Sequence, residues 1–326
     1  MTEVYHVPVM VREVLTFLAP ARGGVYFDGT LGGGGHTAAI LDAGAEARVV
    51  AVDQDPEAIA AAQARLATYG DRVQFVQANF ADAAEAGTER LAGALLDLGI
   101  SSRHIDAPER GFTFRSGTTL DMRMSGSGRT AADLLNSLSE AELADIFYYY
   151  GEERRSRRLA RDVVNHRKTH PFHTSDDLLA AMERALGPRL EAQDKARIFQ
   201  ALRIAVNNEL EVLERALPAL RDRLEVEGVL VVLSYHSLED RRVKDAFREW
   251  SRSCICPPEA IVCQCRGRAL GETLTKKPML ASDEEVAANS RSRSAKLRAW
   301  KKAGDDDERA RRPEAARPSA RKARAA

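Results

Sequence analysis

The chain has 326 residues, of which 44% are hydrophobic and 29% charged, and its 48 lysines and arginines balance its 48 aspartates and glutamates. A polypeptide of this length and composition can bury a substantial core, so we expect one large domain and a smaller one. No run has the length and apolarity of a membrane span, and the first residues, MTEVYHVPVMVREVL, lack the pattern of a secretory signal, which predicts a cytoplasmic protein.

The first hundred residues alternate short apolar or β-branched runs with alanine-rich helical patterns. Strands are predicted over 25–28, 48–52, 72–76 and 91–96, and helices over 37–43 and 56–69. This alternation is typical of an α/β protein in which a parallel sheet is covered by helices on both faces.

A long segment without strand signals then interrupts the alternation. Between 106 and 207 the sequence predicts helices over 139–150, 152–165 and 174–186, and a further helix over 196–217. The sheet resumes at GVLVVLSYH, 228–236, a continuous apolar run typical of a buried parallel strand. The predicted organisation is a sheet domain in two parts, an inserted helical domain and a disordered basic tail, with boundaries at 1–105, 106–207, 208–303 and 304–326.

The stretch FDGTLGGGGH, 27–36, places four consecutive glycines after the first strand. A glycine-rich turn between a strand and a helix lets a ligand approach the backbone closely at the carboxyl edge of the sheet. Gly33-x-Gly35-x-x-Ala38 fits the dinucleotide fingerprint, and Asp53, at the end of the second strand, is placed to accept hydrogen bonds from ribose hydroxyls. We expect a nucleotide or nucleoside site; a tight turn beside an unrelated aspartate is the alternative.

Two further strand ends narrow the choice of nucleoside. Asn79 and Phe80 follow the third strand, where an amide and an aromatic ring are placed to bind an adenine. Asp97 ends the fourth strand, where a carboxylate can hold an ammonium group or face a reacting amine. Asp53, Phe80 and Asp97 suit one adenosine with a charged aliphatic arm better than a dinucleotide. Core packing is the alternative for Phe80, and a capping role is the alternative for Asp97.

Nine ordered stretches carry a family resemblance that extends to about Trp300. They are HVPVMVREVL, DGTLGGGGH, AVDQDPEAI, LLDLGISSRHID, ERGFTFR, LDMRM, YGEER, FQALRIAVNNELE and SYHSLEDRRVK. This series resembles the ribosomal RNA small-subunit methyltransferase H family, also called MraW. The resemblance implies a Rossmann-like class I methyltransferase with an inserted all-helical substrate domain. It also implies methyl transfer from S-adenosylmethionine to the N4 amine of a decoding-centre (P-site) cytidine in 16S rRNA.

The cofactor contacts that the resemblance implies fall on seven residues: Gly34, Gly35, His36, Asp53, Phe80, Asp97 and His104. The family often has glutamine at the position of His104, and either side chain can form a hydrogen bond. Many amino-methyltransferases carry Asp/Asn/Ser-Pro-Pro-aromatic after strand four, whereas this chain has DLGI at 97–100. We still expect Asp97 nearest the reacting amine, with Ser101 and Ser102 as polar contacts.

The stretch SYHSLEDR, 234–241, leaves the resumed strand at the same edge of the sheet. Tyr235 or His236 is placed to stack on or hydrogen-bond an extruded cytosine, and His236 is the second candidate catalytic residue. Packing is the equal alternative for His236. Glu239 and Asp240 are expected at a helix N-terminus, where the helix dipole favours acids.

Cations for an RNA partner are concentrated at 152–173, EERRSRRLARDVVNHRKTHPFH. Such a run is usually a solvated helix face, but in an rRNA methyltransferase it predicts phosphate contacts. SRSRSAKLRAWKK, 290–302, and the Arg-rich tail are further candidates for nonspecific attraction to RNA, with solubility as the alternative. Whether the apolar faces of the inserted helices form a core or a homodimer surface stays open.

Four cysteines, Cys254, Cys256, Cys263 and Cys265, form one C-x-C-x6-C-x-C cluster. In a cytoplasmic chain, clustered thiols suggest a metal before a disulfide. The one-residue gaps are tighter than the usual spacing of zinc ligands. A structural zinc ion and four reduced thiols are therefore equal alternatives.

Two functions of other classes compete with the methyltransferase. An NAD-dependent oxidoreductase explains the glycines and Asp53, but neither the helical insertion nor the nine ordered stretches. A noncatalytic RNA-binding or ribosome-assembly module that keeps a methyltransferase fold is distinguished only by an activity measurement.

Overall fold

The computed structural model describes residues 8–100, 107–257, 259–260 and 262–304. The strands are β1 (Gly24–Asp28), β2 (Ala47–Asp53), β3 (Val73–Gln77), β4 (Leu91–Asp97), β5 (Leu224–Ser234), β6 (Gly271–Thr273), β7 (Met279–Leu280) and β8 (Lys296–Lys302). They form one sheet in the order β3-β2-β1-β4-β5-β8-β6, with β7 also paired to β8. Strands β1 to β5 are parallel, as predicted, whereas β8 runs antiparallel to β5, β6 and β7.

Helices cover both faces of this sheet. They are α1 (Val11–Leu18), α2 (Gly35–Ala43), α3 (Pro56–Leu66), α4 (Phe80–Ala86), α10 (Glu209–Arg223), α11 (Ser237–Trp250) and α12 (Asp283–Ala288). Side chains of α1, α2 and α3 pack on one face of the strands, and side chains of α4, α10 and α11 pack on the other. Alternate residues of β1 show this division: Tyr26 lies in the first core and Phe27 in the second.

The segment 107–207 packs around a core of its own. Its helices are α5 (Ala131–Ser137), α6 (Glu140–Asp145), α7 (Ser156–His166), α8 (Ser175–Leu186) and α9 (Ala192–Asn207), and α6 continues as one π-helical turn, Ile146–Tyr150. Their apolar faces are buried against one another around Phe147, Leu159 and Met182. Within this segment the β pairing is an isolated bridge between Thr119 and Thr174. None of the helices described has the length and apolarity needed to cross a bilayer.

Two predicted helices have different bounds in the structure. The predicted helix over 196–217 is wrong as one element, because Asn208 has the left-handed backbone conformation (φ 50°) and separates α9 from α10. Asn tolerates this conformation better than most residues, so the apolar pattern runs through a real break. The helix predicted to begin at Glu152 begins at Ser156 instead, after a turn in which Glu152 also has positive φ.

The stretch 290–302 forms part of the sheet, which the sequence analysis missed. It forms a short 3-10 helix and then β8, in which Leu297 and Trp300 are fully buried. Arg298 is 5% exposed and its guanidinium pairs with Asp240, with Nε 2.6 Å from Oδ1. The interpretation of this cation as an RNA contact is therefore wrong, because its charge is neutralised inside the fold. The predicted tail beyond 304 lies outside the described residues.

Candidate active site

The carboxyl ends of the parallel strands meet at one edge of the sheet. The loops that leave them stay close to that edge through backbone hydrogen bonds: the Gly29 amide donates to the Leu95 carbonyl (3.0 Å), and the Leu31 amide to that of Val52 (2.9 Å). Asp53 and Asp97 are the last residues of β2 and β4, so both carboxylates project from this edge. Open α/β folds bind ligands in this place.

The glycine-rich turn joins β1 to α2. Gly32 and Gly34 have positive φ, 50° and 75°, and Gly34 is the N-cap of α2. A Cβ on Gly34 would lie 3.0 Å from the Leu66 side chain, and one on Gly35 would lie 3.0 Å from the ring of Pro8. The positive φ favours glycine at Gly34, and packing against Leu66 and Pro8 leaves little room for a side chain at either position. Close approach of a ligand, the reason predicted from the sequence, is not needed to explain them.

Asp53 is held by the same turn. Its Oδ2 accepts a hydrogen bond from the Gly32 amide (2.8 Å), and its Oδ1 accepts one from the Asp55 amide (2.9 Å). These bonds fix the carboxylate beside the start of α2, whose first amides have no partner within the helix. The geometry places an acceptor for hydroxyl groups next to backbone donors for an anion.

Phe80 is the first residue of α4, which is separated from the end of β3 by two residues. Asn79 caps this helix, with its Oδ1 accepting from the Ala81 amide (2.9 Å). The side-chain carbonyl of Asn79 is thus engaged in capping the helix, whereas the sequence analysis predicted that the Asn79 amide binds an adenine. Phe80 is half-buried and packs on both α10 and the core beneath the sheet. Its ring therefore has a packing role, and only the exposed part of the ring is available to a ligand.

Asp97 is the centre of a partly buried polar group. Its Oδ1 accepts a hydrogen bond from the Tyr235 hydroxyl (2.7 Å), and its Oδ2 lies 3.6 Å from Nδ1 of His36. The other ring nitrogen of His36, Nε2, lies 2.9 Å from the Val9 carbonyl, which can only accept, so this nitrogen carries a proton. Burial raises the pKa of Asp97, while His36 and the Tyr235 hydrogen bond oppose that rise.

Tyr235 reaches Asp97 because Gly99 leaves room for its ring. Gly99 has φ 109°, and a Cβ there would lie 3.1 Å from Cδ2 of Tyr235. The DLGI stretch has no aromatic residue at its fourth position, unlike the Pro-Pro-aromatic pattern of many amino-methyltransferases. In this fold an aromatic ring from the end of β5 occupies the space beside the β4 carboxylate.

His236 is the N-cap of α11. Its Nδ1 accepts from the Glu239 amide at 3.4 Å, and its Nε2 lies 3.0 Å from Glu239 Oε1 in a geometry too bent for a hydrogen bond. Both ring nitrogens thus face Glu239, which itself accepts from the Tyr235 amide (2.8 Å). Burial works against ionisation of Glu239, but the contact with His236 and the charge of Arg203 outweigh it and lower the pKa. Glu239 therefore has the helix-terminal role expected from the sequence.

Four residues that the sequence analysis left without a role connect the insertion to this edge. Arg110 donates to Asp55 Oδ2 (2.8 Å) and to the Met124 carbonyl (3.1 Å), and Gln54 contacts Met124 Sδ (3.3 Å). Asn207 accepts from the Met124 amide (2.9 Å). These contacts bring ERGFTFR and LDMRM over the β2–α3 turn that follows Asp53. The four residues all lie in the ordered stretches that carry the family resemblance, and this was the signal in the sequence that could have identified them. His104, Ser101 and Ser102 lie outside the described residues.

The parallel sheet, its antiparallel last strands and an acid-lined site at the carboxyl edge define a Rossmann-like class I S-adenosylmethionine-dependent methyltransferase. The model of the MraW methylase family matches residues 3–303, and the chain belongs to this family. The oxidoreductase alternative is thereby set aside.

The relatives extend along nearly the whole chain. A protein of Gemmatimonas aurantiaca named ribosomal RNA small subunit methyltransferase H is 54% identical over 308 residues, 93% of this chain and 96% of that one. A protein of the same name from Heliobacterium modesticaldum is 49% identical and covers 91% of this chain and 98% of its own. Among solved structures, an rRNA methylase of Streptococcus thermophilus aligns over 92% of this chain and 99% of its own, with 12% identity and a TM-score of 0.42.

Proposed function

We propose that this protein transfers a methyl group from S-adenosylmethionine to the N4 amine of a P-site cytidine in 16S rRNA of the small ribosomal subunit, in the cytoplasm. The observation that carries the proposal is the partly buried Asp97 carboxylate at the carboxyl edge of a methylase fold, between Tyr235 and His36. The names of the two relatives above support small-subunit rRNA as the substrate.

The residues at the edge fit the parts of the donor one by one. Asp53 suits the ribose hydroxyls, and Phe80 lies at the neighbouring strand end on the side expected for the adenine. The amides of Gly35 and His36 at the start of α2 suit the donor's carboxylate, because a helix N-terminus favours an anion. The Gly34 amide already donates to the Leu31 carbonyl (2.8 Å), so contact of Gly34 with the donor stays a prediction. His104 stays a predicted contact.

Asp97 is the residue that we place at the reacting amine. Bound S-adenosylmethionine supplies a methyl group made electrophilic by a positively charged sulfur. The cytosine amine is a weak nucleophile, because its lone pair is delocalised into the ring. Asp97 can align the amine by accepting a hydrogen bond from it, and can take its proton as the nitrogen–carbon bond forms. Direct catalysis by His236 stays a prediction, since it requires a ring nitrogen that now faces Glu239.

Tyr235 is proposed as the positioning residue for Asp97. Its hydroxyl occupies one carboxylate oxygen and so leaves the other, on the His36 side, for the amine. Tyr235→Phe keeps the ring on Gly99 and removes only the hydrogen bond. We expect kcat to fall by about 10- to 150-fold, since a hydrogen bond to a charged group contributes about 1.5 to 3 kcal/mol. Steady-state kinetics with labelled donor and small subunits measures this.

The pH profile of the same variant separates positioning from general damage. The Tyr235 hydrogen bond lowers the pKa of Asp97, so its loss raises that pKa further. If ionised Asp97 is the active form, the acid limb of the kcat profile moves to higher pH. The other groups that act on the pKa of Asp97, which are His36, Asp28 and Glu239, are not altered by the substitution. Tyr69→Phe is the matched control, because Tyr69 donates to Asp42 over the same 2.7 Å on the surface. An acid limb that stays in place contradicts this role.

The inserted domain offers a surface for RNA phosphates. Arg154, Arg157 and Arg158 are exposed around the start of α7, and none makes an ion pair or side-chain hydrogen bond within the described part of the chain. Arg167, from the same basic run, instead donates to the carbonyls of Leu135 and Leu138. The predicted run therefore contains exposed arginines available for phosphate contacts as well as arginines with structural partners, such as Arg155 and Arg167.

The double variant Arg157→Gln with Arg158→Gln is expected to weaken RNA binding with a diagnostic salt dependence. Each lost phosphate contact reduces the slope of log affinity against log salt by about 0.7 to 0.9, so the slope should fall by about 1.4 to 1.8. Binding of 16S rRNA is measured at several salt concentrations. Arg184→Gln is the control, because this exposed arginine already pairs with Asp162 at 2.8 Å. An unchanged slope contradicts the proposed surface.

Mass spectrometry of rRNA nucleosides tests the proposed reaction itself. Small subunits from a strain lacking the enzyme are incubated with purified protein and S-adenosylmethionine, and their nucleosides are compared with those of an untreated sample. We expect N4-methylcytidine to appear in 16S rRNA. Methylation of another base or atom overturns the substrate assignment, and no methylation in any small-subunit preparation favours the noncatalytic assembly role.

Zinc has no step in this reaction. The cysteine cluster follows Trp250 at the end of α11, whereas His236 precedes its start. The 14 residues of this helix span about 20 Å. We therefore propose zinc as a structural ion only.

A further inference from the structure

The four cysteines converge on one point in the loop between α11 and β6. The Sγ atom of Cys263 lies 3.8 Å from that of Cys254, 3.8 Å from that of Cys256 and 3.5 Å from that of Cys265, and the Sγ atoms of Cys254 and Cys265 are 3.8 Å apart. All four sulfurs lie within 4.8 Å of one another. The two Cys-x-Cys pairs therefore bring their four sulfurs together in one compact group.

These spacings match one particular coordination chemistry. Sulfurs at about 2.3 Å from a tetrahedral zinc ion lie about 3.8 Å from each other. A disulfide would bring two of them to about 2.05 Å. An iron–sulfur cluster places several atoms between its ligating sulfurs and would hold them further apart. The observed distances favour a single tetrahedral ion.

The loop has little else to hold it in this shape. Ile255 and Val262 are 41% and 66% exposed, and the described residues of 252–268 contribute none to the buried hydrophobic clusters. A short segment without a core usually depends on a metal or a disulfide for a fixed structure. The Ile255 amide also donates to Cys265 Sγ (3.3 Å), a contact that stabilises negative charge on the sulfur.

Arg266 anchors the two ends of the loop. It follows the last cysteine, and its guanidinium donates to the Glu249 side chain (2.7 Å) and to the Arg252 carbonyl (3.2 Å). It thereby ties both ends of the loop to the C-terminus of α11, while the cysteines between them converge.

We propose that Cys254, Cys256, Cys263 and Cys265 bind one structural Zn²⁺ as a tetrathiolate site that fixes the α11–β6 connection. The site deepens the structural role proposed above for zinc. It lies beyond the end of α11 that is remote from Asp97, so its loss should loosen the loop and the edge strand β6 while the donor site persists.

Metal analysis of the purified full-length protein tests this site directly. We expect one equivalent of zinc per chain by elemental mass spectrometry, and no rapid reaction of the thiols with a disulfide reagent until the metal is displaced. Cobalt substitution should give the absorption of a tetrahedral tetrathiolate ion. Absence of bound metal together with four freely reactive thiols overturns the proposal, and so does iron in place of zinc.

A pair of variants separates the metal site from the methyltransferase. Cys263→Ser with Cys265→Ser should lose the zinc and become sensitive to proteolysis within 252–268, whereas Ser253→Ala, next to a proposed ligand, should keep both metal and resistance. Binding of S-adenosylmethionine by the cysteine variant should change less than twofold. If the variant still retains a full equivalent of zinc, the ligand assignment is wrong, whatever the outcome of the rRNA assay.

Discussion

Asparagine in place of Asp97 is expected to lower the rate of methyl transfer by about 10²- to 10⁴-fold, the range associated with loss of a positioned proton acceptor. Asparagine has the same shape and can still accept the Tyr235 hydrogen bond, which is 2.7 Å long in the wild-type protein. It cannot take a proton from the target amine or carry a compensating charge. Single-turnover methylation of small subunits with labelled donor measures the chemical step.

Donor affinity and a matched substitution show whether this loss is specific. Asp42→Asn changes a second carboxylate of the same domain that also accepts a 2.7 Å hydrogen bond from a tyrosine, and it should leave the rate unchanged. Calorimetry should find that Asp97→Asn still binds the donor, with a smaller loss than in rate. A variant rate within twofold of wild type would show that Asp97 does not act on the amine.

Removal of the Asp53 carboxylate is expected to weaken donor binding by about 1 to 3 kcal/mol, or roughly 5- to 150-fold in Kd. Asp53→Ala loses the acceptor for the ribose hydroxyls. It also releases the amides of Gly32 and Asp55, so part of the loss will come from the glycine turn. Titration calorimetry with S-adenosylmethionine gives the total effect.

A ribose-modified ligand separates these two contributions. The wild-type protein should prefer S-adenosylhomocysteine to its analogue without ribose hydroxyls, and Asp53→Ala should lose most of that preference. Loosening of the turn alone would weaken both ligands equally. An unchanged Kd for the donor would reject the ribose role of Asp53.

Much of the sheet domain was predictable because its signals are local. Each of β1 to β4 is a short apolar run next to a helical pattern, and each observed bound lies within one residue of the predicted one. The last strands were missed because β6 and β7 are very short and β8, KLRAWKK, is rich in cations. Trp300 packs against Trp250 of α11, and Arg298 pairs with Asp240 of the same helix. Nothing in the local pattern shows those partners.

The sequence predicted which residues lie at the site, but not which side chains contact one another there. Parallel strands have their carboxyl ends at the same edge of a sheet, and this rule alone predicts that Asp53, Phe80 and Asp97 lie near one another. The bond from Tyr235 to Asp97 joins residues 138 positions apart, and it depends on the space left by Gly99. Likewise, the contact of Arg110 with Asp55 depends on how the insertion folds back over the sheet. Such pairings follow from tertiary packing rather than from spacing.

A crystal structure with S-adenosylhomocysteine bound tests the central claim most directly. We predict the ribose hydroxyls on Asp53, the adenine beside Phe80 and the sulfur next to Asp97, with open space for a cytosine beside the Asp97 oxygen that Tyr235 does not occupy. Density for the ligand at any other surface, with these side chains left uncontacted, would contradict the account.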